Sequence, residues 1–160
     1  MSMYKFLLAA SLISLSSFGS ESDLSSIVGK WKTVDDESGE VKSIVQIKKN
    51  EDTYSATVKK LFKKPDEDQN PLCDACKGDL KNAPIIGLEI IHGLKKRDDD
   101  WGDGTILDPN NGKTYSVKMS LKEKGMKLKV RGFLGFSLLG RTQYWHRQGD
   151  QEPGDSSPKQ

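Results

Sequence analysis

Residues 115–131, YSVKMSLKEKGMKLKVR, read as two strands with a turn between them. Tyr115, Val117, Met119 and Leu121 alternate with Ser116, Lys118, Ser120 and Lys122. After Glu123-Lys124-Gly125 the alternation resumes, with Met126, Leu128 and Val130 set against Lys127, Lys129 and Arg131. A strand sends successive side chains to opposite faces, so each run has one apolar face and one wet face. Antiparallel sheet has this pattern, whereas strands of a parallel sheet, covered on both sides, read as continuous apolar runs.

The same period recurs upstream. Ile27, Gly29, Trp31 and Thr33 form one inward set, Val41, Ser43, Val45 and Ile47 a second, and Tyr54, Ala56 and Val58 a third. Residues 85–94 and 138–147 read as further strands, and 105–107 as a short one, for seven or eight in all. Glu37-Ser38-Gly39, Asn50-Glu51-Asp52 and Pro109-Asn110-Asn111-Gly112 supply hairpin turns between them. One connection is long: residues 63–83 carry two of the six prolines and both cysteines. A sheet with one apolar face must fold onto itself, and about eight strands in up-and-down order do so by closing into a barrel. A two-sheet sandwich is the rival, and it calls for a more apolar composition and crossing connections. Counting Gly and omitting Tyr, apolar residues are about 41% of the chain, below the usual range for a globular domain. At 160 residues there is room for one domain.

The two ends stand apart from this pattern. Lys5 followed by residues 6–15 (FLLAASLISL) and the small residues Ser17 and Gly19 reads as a secretory signal peptide over residues 1–20, cleaved near Gly19 or Ser20. Serines interrupt the run before it reaches the roughly 20 apolar residues of a membrane span. The expected address is therefore the periplasm or the exterior, without stable membrane insertion. Residues 148–160 (QGDQEPGDSSPKQ) hold no large apolar side chain and are expected to be a flexible tail, leaving 21–147 as the domain. The chain has 25 Lys+Arg and 23 Asp+Glu, a balance that directs it to neither nucleic acid nor anionic lipid.

Gly29-x-Trp31 opens the first strand, and Arg141 and Arg147 lie on the last. In a barrel these strands are neighbours, so a guanidinium can stack on the indole at the closed end. This pairing resembles the lipocalin pattern. Gly29-x-Trp31-x-Thr33, Cys73-x-x-Cys76, Pro84-Ile85-Ile86-Gly87-Leu88, Trp101-x-x-Gly104-x-Ile106-Leu107-Asp108-Pro109, Gly112-Lys113-x-Tyr115, Val130-Arg131-Gly132 and Gly140-Arg141-x-Gln143-x-Trp145 follow in order. Together they resemble the bacterial family called domain of unknown function 2147, over roughly residues 28–147. The resemblance implies an exported, lipocalin-like β-barrel and brings no catalytic residues with it.

Cys73 and Cys76 in an oxidising compartment are expected to pair as a structural disulfide that pins the long loop. A redox-active pair is the second reading, though no strong amphipathic helix stands there to lower a thiol pKa. A zinc site shared with His92 and His146 is the third, and those histidines sit on separate strands. The acidic run at 98–104 lacks the ligand spacing of a calcium loop and is expected to be a solvated turn. Asp108 is expected to cap the hairpin turn that follows it; a catalytic carboxylate is the other reading, with no partner at fixed spacing. No nucleophile elbow or phosphate loop is present, so the expectation is a protein that is not an enzyme and needs no cofactor.

Residues 131–140 (RGFLGFSLLG) are the most apolar stretch of the domain and are expected to plug one barrel mouth; a contact surface for a membrane or protein is the alternative. Leu139, Arg141, Gln143 and Trp145 share one face of the last strand. Trp31, Tyr54, Tyr115, Arg141, Gln143 and Trp145 form the candidate interior for a small molecule with an apolar body and an acidic end. A core filled by side chains is the equal alternative, because an eight-stranded barrel is wide enough for either. The expected protein is a monomer with a small-molecule ligand, or else an envelope protein that meets a protein partner through its rim and long loop.

Overall fold

The computed structural model describes residues 23–136 and 138–149; the expected signal peptide and all of the tail beyond Gly149 lie outside them. Eight antiparallel strands follow one another around a closed barrel: β1 (Gly29–Val34), β2 (Val41–Asn50), β3 (Thr53–Leu61), β4 (Glu89–Lys96), β5 (Asp100–Asp108), β6 (Lys113–Lys122), β7 (Lys127–Phe133) and β8 (Gly140–Arg147). Closure comes from β1 against β8, with Trp31 opposite Arg147 and Lys32 opposite His146. Every strand pairs with its neighbours in sequence, so the sandwich alternative falls away.

Up-and-down order sorts the connections by end. The β1–β2, β3–β4, β5–β6 and β7–β8 connections lie at one end, here the mouth. The remaining three, with residues 23–28, lie at the other, here the base. The inward sets of the alternation form one continuous core: Trp31, Val45, Ile47, Ala56, Val58, Val117, Met119, Leu128, Val130 and Trp145 are all buried in it. Ile44, on the outward set, is buried as well, between its cross-strand neighbours Lys32 and Lys60. Met126 does not join the core. It is exposed beside the β6–β7 turn, and β7 begins one residue later.

The short strand expected at 105–107 is the nine-residue β5, which begins at Asp100. A register shift between Trp101 and Gly104 explains the difference. An extra residue in one strand changes the side-chain parity across it, so Trp101 turns inward although no period-two pattern runs through it. Of the acidic run expected to be a solvated turn, only Asp98 and Asp99 turn; residues 100–104 belong to β5, with Asp103 exposed, in positive φ and paired to Arg97.

The long β3–β4 connection is where the mouth departs from expectation. Cys73 and Cys76 form a disulfide, and both belong to the buried core cluster. Leu72 bridges Pro84, and the Cys73 amide donates to the Ala83 carbonyl at 2.8 Å, so the segment is a folded loop. It rests on the β5–β6 turn: a Cβ on Gly112 would lie 1.8 Å from the Ala75 carbonyl oxygen, and the φ of +66° at Gly112 already favours glycine. This segment turns inward at the mouth. The apolar stretch expected to plug it does not: Phe136, Leu138 and Leu139 are 84%, 88% and 75% exposed. Leu134, Phe136, Leu138 and Leu139 at this hairpin tip have no interior to reach, because the tip extends beyond the last pair, Phe133 opposite Gly140.

Candidate functional site

The base is built around Trp31, which is 0% exposed. Its indole N–H donates to the Ile27 carbonyl at 2.8 Å, and the Arg147 guanidinium stacks on its ring at 4.3 Å from the centroid. Arg147 also donates to the carbonyls of Gly125 (2.7 Å), Val28 (3.1 Å) and Ser26 (2.6 Å). One side chain thus ties together the segment entering β1, the β6–β7 turn and the last strand. Gly29 leaves room for it, with φ at +133° and a would-be Cβ 3.2 Å from the Arg147 Nη1. Burial pushes the Arg147 pKa down, offset in part by the charge of Asp23, and the group stays a cation. Of the two arginines on the last strand, Arg147 is the one that stacks on the indole.

Arg141 occupies the opposite end. It was expected inside; it lies exposed at the mouth, held by Asp36 of the β1–β2 turn through Nε at 2.9 Å and Nη2 at 2.8 Å. That hydrogen bond raises its pKa. The reason is position along β8: Arg141 has the inward parity of Gln143 and Trp145, but it stands at the rim, where a long charged side chain reaches solvent. Tyr115 is likewise half-buried near the rim, its hydroxyl accepting from Asn111 Nδ2 at 3.1 Å. Asn111 in turn donates to Asp108, whose other carboxylate oxygen accepts from the Asn110 amide at 3.0 Å. Asp108 therefore organises the β5–β6 turn, as expected of a capping residue.

The remaining candidates are inside. Trp145 is buried, and its Nε1 donates to Gln143 Oε1 over 3.4 Å, a long bond. Thr33 and Ser43 share a hydrogen bond of 2.7 Å between their hydroxyls on the same inward face. Tyr54 is buried with its ring edge-on to Trp101, centroids 6.3 Å apart at 88°. The six candidates thus divide between levels: Trp31, Tyr54 and Trp145 in the base half, Gln143 between, and Tyr115 and Arg141 at the rim.

Trp101 is the interior residue that the sequence pattern missed. It is 2% exposed, Lys96 lies over its ring at 3.9 Å from the centroid, and its Nε1 has no hydrogen-bond acceptor among the described residues. The Gly102–Asp103–Gly104 cluster beside it, a bulge signal, was the clue available. The expected zinc alternative does not assemble: His92 pairs with Glu89 on β4, His146 lies on the outside of β8, and both cysteines are in the disulfide.

The fold and sequence have relatives. No curated protein matches this sequence. Among solved structures, protein HP1028 from Helicobacter pylori, described as belonging to the lipocalin family, is similar with a TM-score of 0.65 and 19% sequence identity. The match covers 78% of this chain and 84% of that one, and at this identity it shows a shared fold. Residues 29–147 match the model of the family described as an uncharacterised protein conserved in bacteria, domain of unknown function 2147. From the glycine that admits Arg147 to Arg147 itself the match spans the whole barrel, and the chain belongs to this family.

Proposed function

We propose that the protein is a non-enzymatic, exported binding protein that holds one small, partly apolar molecule inside its barrel. The single observation that carries this reading is the Trp101 indole N–H, buried in the core without an acceptor among the described residues. An unmet buried donor costs about 1–3 kcal/mol, and an oxygen acceptor on a bound molecule removes that cost. Lipocalin-like barrels of eight strands are wide enough to enclose such a molecule. Tyr54 and Trp101 offer aromatic surface beside the donor, and the polar anchor is accordingly Trp101. Arg141, already neutralised by Asp36 at the rim, serves the mouth.

The signal-peptide reading of residues 1–20 supports a periplasmic address. The buried disulfide supports a structural role for the cysteine pair, since exchange needs access to a sulfur.

Native mass spectrometry of protein released gently from the periplasm tests the proposal. A small co-purifying mass, retained about tenfold less well by Trp101→Phe, is the expected result. A clean apo mass for the wild type, or a bound mass indifferent to Trp101→Phe, overturns it.

A further inference from the structure

The β7–β8 tip has a neighbour of the opposite character. None of the strands β6, β7, β8 and β1 contains an Asp or a Glu. Their outward faces align basic side chains in rows: Lys118 beside Arg131, and Lys122 beside Lys127, with Lys32 reached across His146. Lys129 stands between the rows, opposite Ser120. Like charges directly across a ladder are destabilising; in these rows Lys127 is relieved by an ion pair with Glu123 of the β6–β7 turn. Four acidic residues lie on strands, and all belong to β4 and β5: Glu89, Asp100, Asp103 and Asp108. A nearly balanced chain is therefore strongly polarised around its barrel.

We infer that this face docks peripherally on a lipid bilayer carrying anionic headgroups, with the β7–β8 tip dipped among the acyl chains. Phe136, Leu138 and Leu139 supply the apolar insertion and the wall supplies charge complementarity. A soluble polyanion would use the wall and leave the apolar tip in water; a purely apolar partner would leave the wall unmatched. A bilayer with anionic headgroups satisfies both at once. The orientation follows from the other charges. The β1–β2 turn, at the same end as the tip, carries Asp35, Asp36, Glu37 and Glu40. An upright barrel standing on its mouth would press those carboxylates into the headgroups. Laid over on the β6–β7 wall, the barrel keeps them away while the tip enters at the edge. This inference is independent of ligand binding in the barrel.

Co-sedimentation of the full chain with phosphatidylglycerol/phosphatidylcholine vesicles, and with phosphatidylcholine alone, tests it. Binding is expected to the anionic vesicles, to weaken steeply with salt, and to fall at least tenfold in Phe136→Ser/Leu138→Ser and in Lys118→Glu/Lys129→Glu. All four positions lie on the surface, and circular dichroism confirms that each variant is folded. A Phe136→Trp reporter, read as the difference from the wild type with its buried Trp31, Trp101 and Trp145, gives a local signal: the added fluorescence shifts to the blue and is quenched by brominated acyl chains. No binding, equal binding to neutral vesicles, or an unquenched Trp at position 136 overturns the inference. So does a concentration-dependent dimer, abolished by the tip variants, in protein that ignores vesicles; the tip would then belong to a second copy.

Discussion

Two arginines six positions apart on one strand show how far residue identity alone reaches. Both have inward parity on β8, and either could have met Trp31. The structure gives Arg147 the indole and three backbone carbonyls, and gives Arg141 one carboxylate in solvent. Their removal should differ accordingly. Arg147→Ala strips partners from carbonyls of three segments and is expected to cost about 2–3 kcal/mol in urea unfolding. Arg141→Ala loses an exposed ion pair and should stay within about 1 kcal/mol. Equal losses would show that the base latch is not built as described. The need for an arginine near Trp31 was legible from Gly29-x-Trp31; the choice between the two depended on strand stagger, which the sequence does not print. Trp101 was illegible for a related reason. Its parity is set by a bulge, and one extra residue erases the period by which a strand announces its inner face.

At the scale of elements, the long β3–β4 connection and the β7–β8 tip exchanged roles. Apolar composition alone pointed to residues 131–140 as the mouth's plug, and cysteine spacing alone gave the loop a staple but no destination. Contact geometry decided both. The loop reaches the core because Gly112 admits the Ala75 carbonyl, and because the disulfide holds Cys73 and Cys76 in one compact turn. Gly112→Ala should therefore detach the loop locally: amides at Cys73 and Cys76 are expected to exchange at least tenfold faster while the β6–β7 ladder is unchanged. Reducing the disulfide gives back to the unfolded chain only the entropy of a small ring, about 2 kcal/mol, and should lower the unfolding midpoint modestly. Protection at the cysteine amides that survives Gly112→Ala would mean that the loop does not depend on its seat against the β5–β6 turn.

For the whole molecule, closure is the decisive event, and its seams are uneven. β6 and β7 pair over seven positions without interruption, whereas β1 meets β8 at two positions and β3 meets β4 at three with register shifts. Native-state hydrogen exchange should therefore open the β1–β8 and β3–β4 seams before β6–β7; uniform protection around the barrel, or β6–β7 opening first, contradicts this account of closure. The chain-wide charge balance does not report how charge is distributed. Net charge sums over the sequence, and a partner meets only one wall. The lysines alternating with apolar residues in 115–131 were in plain view, yet their joining with Lys32 on one surface waited for β8 to pair with β1. By itself the sequence determined the antiparallel fold, the family and the inward faces of most strands, because a period of two is a local property of the chain. Only the tertiary structure decided which arginine latches the base, which segment enters the mouth, that Trp101 is buried and that the cations share a wall. Each of these depends on register and closure between residues distant in sequence, where a shift of one position reverses the face that a side chain presents.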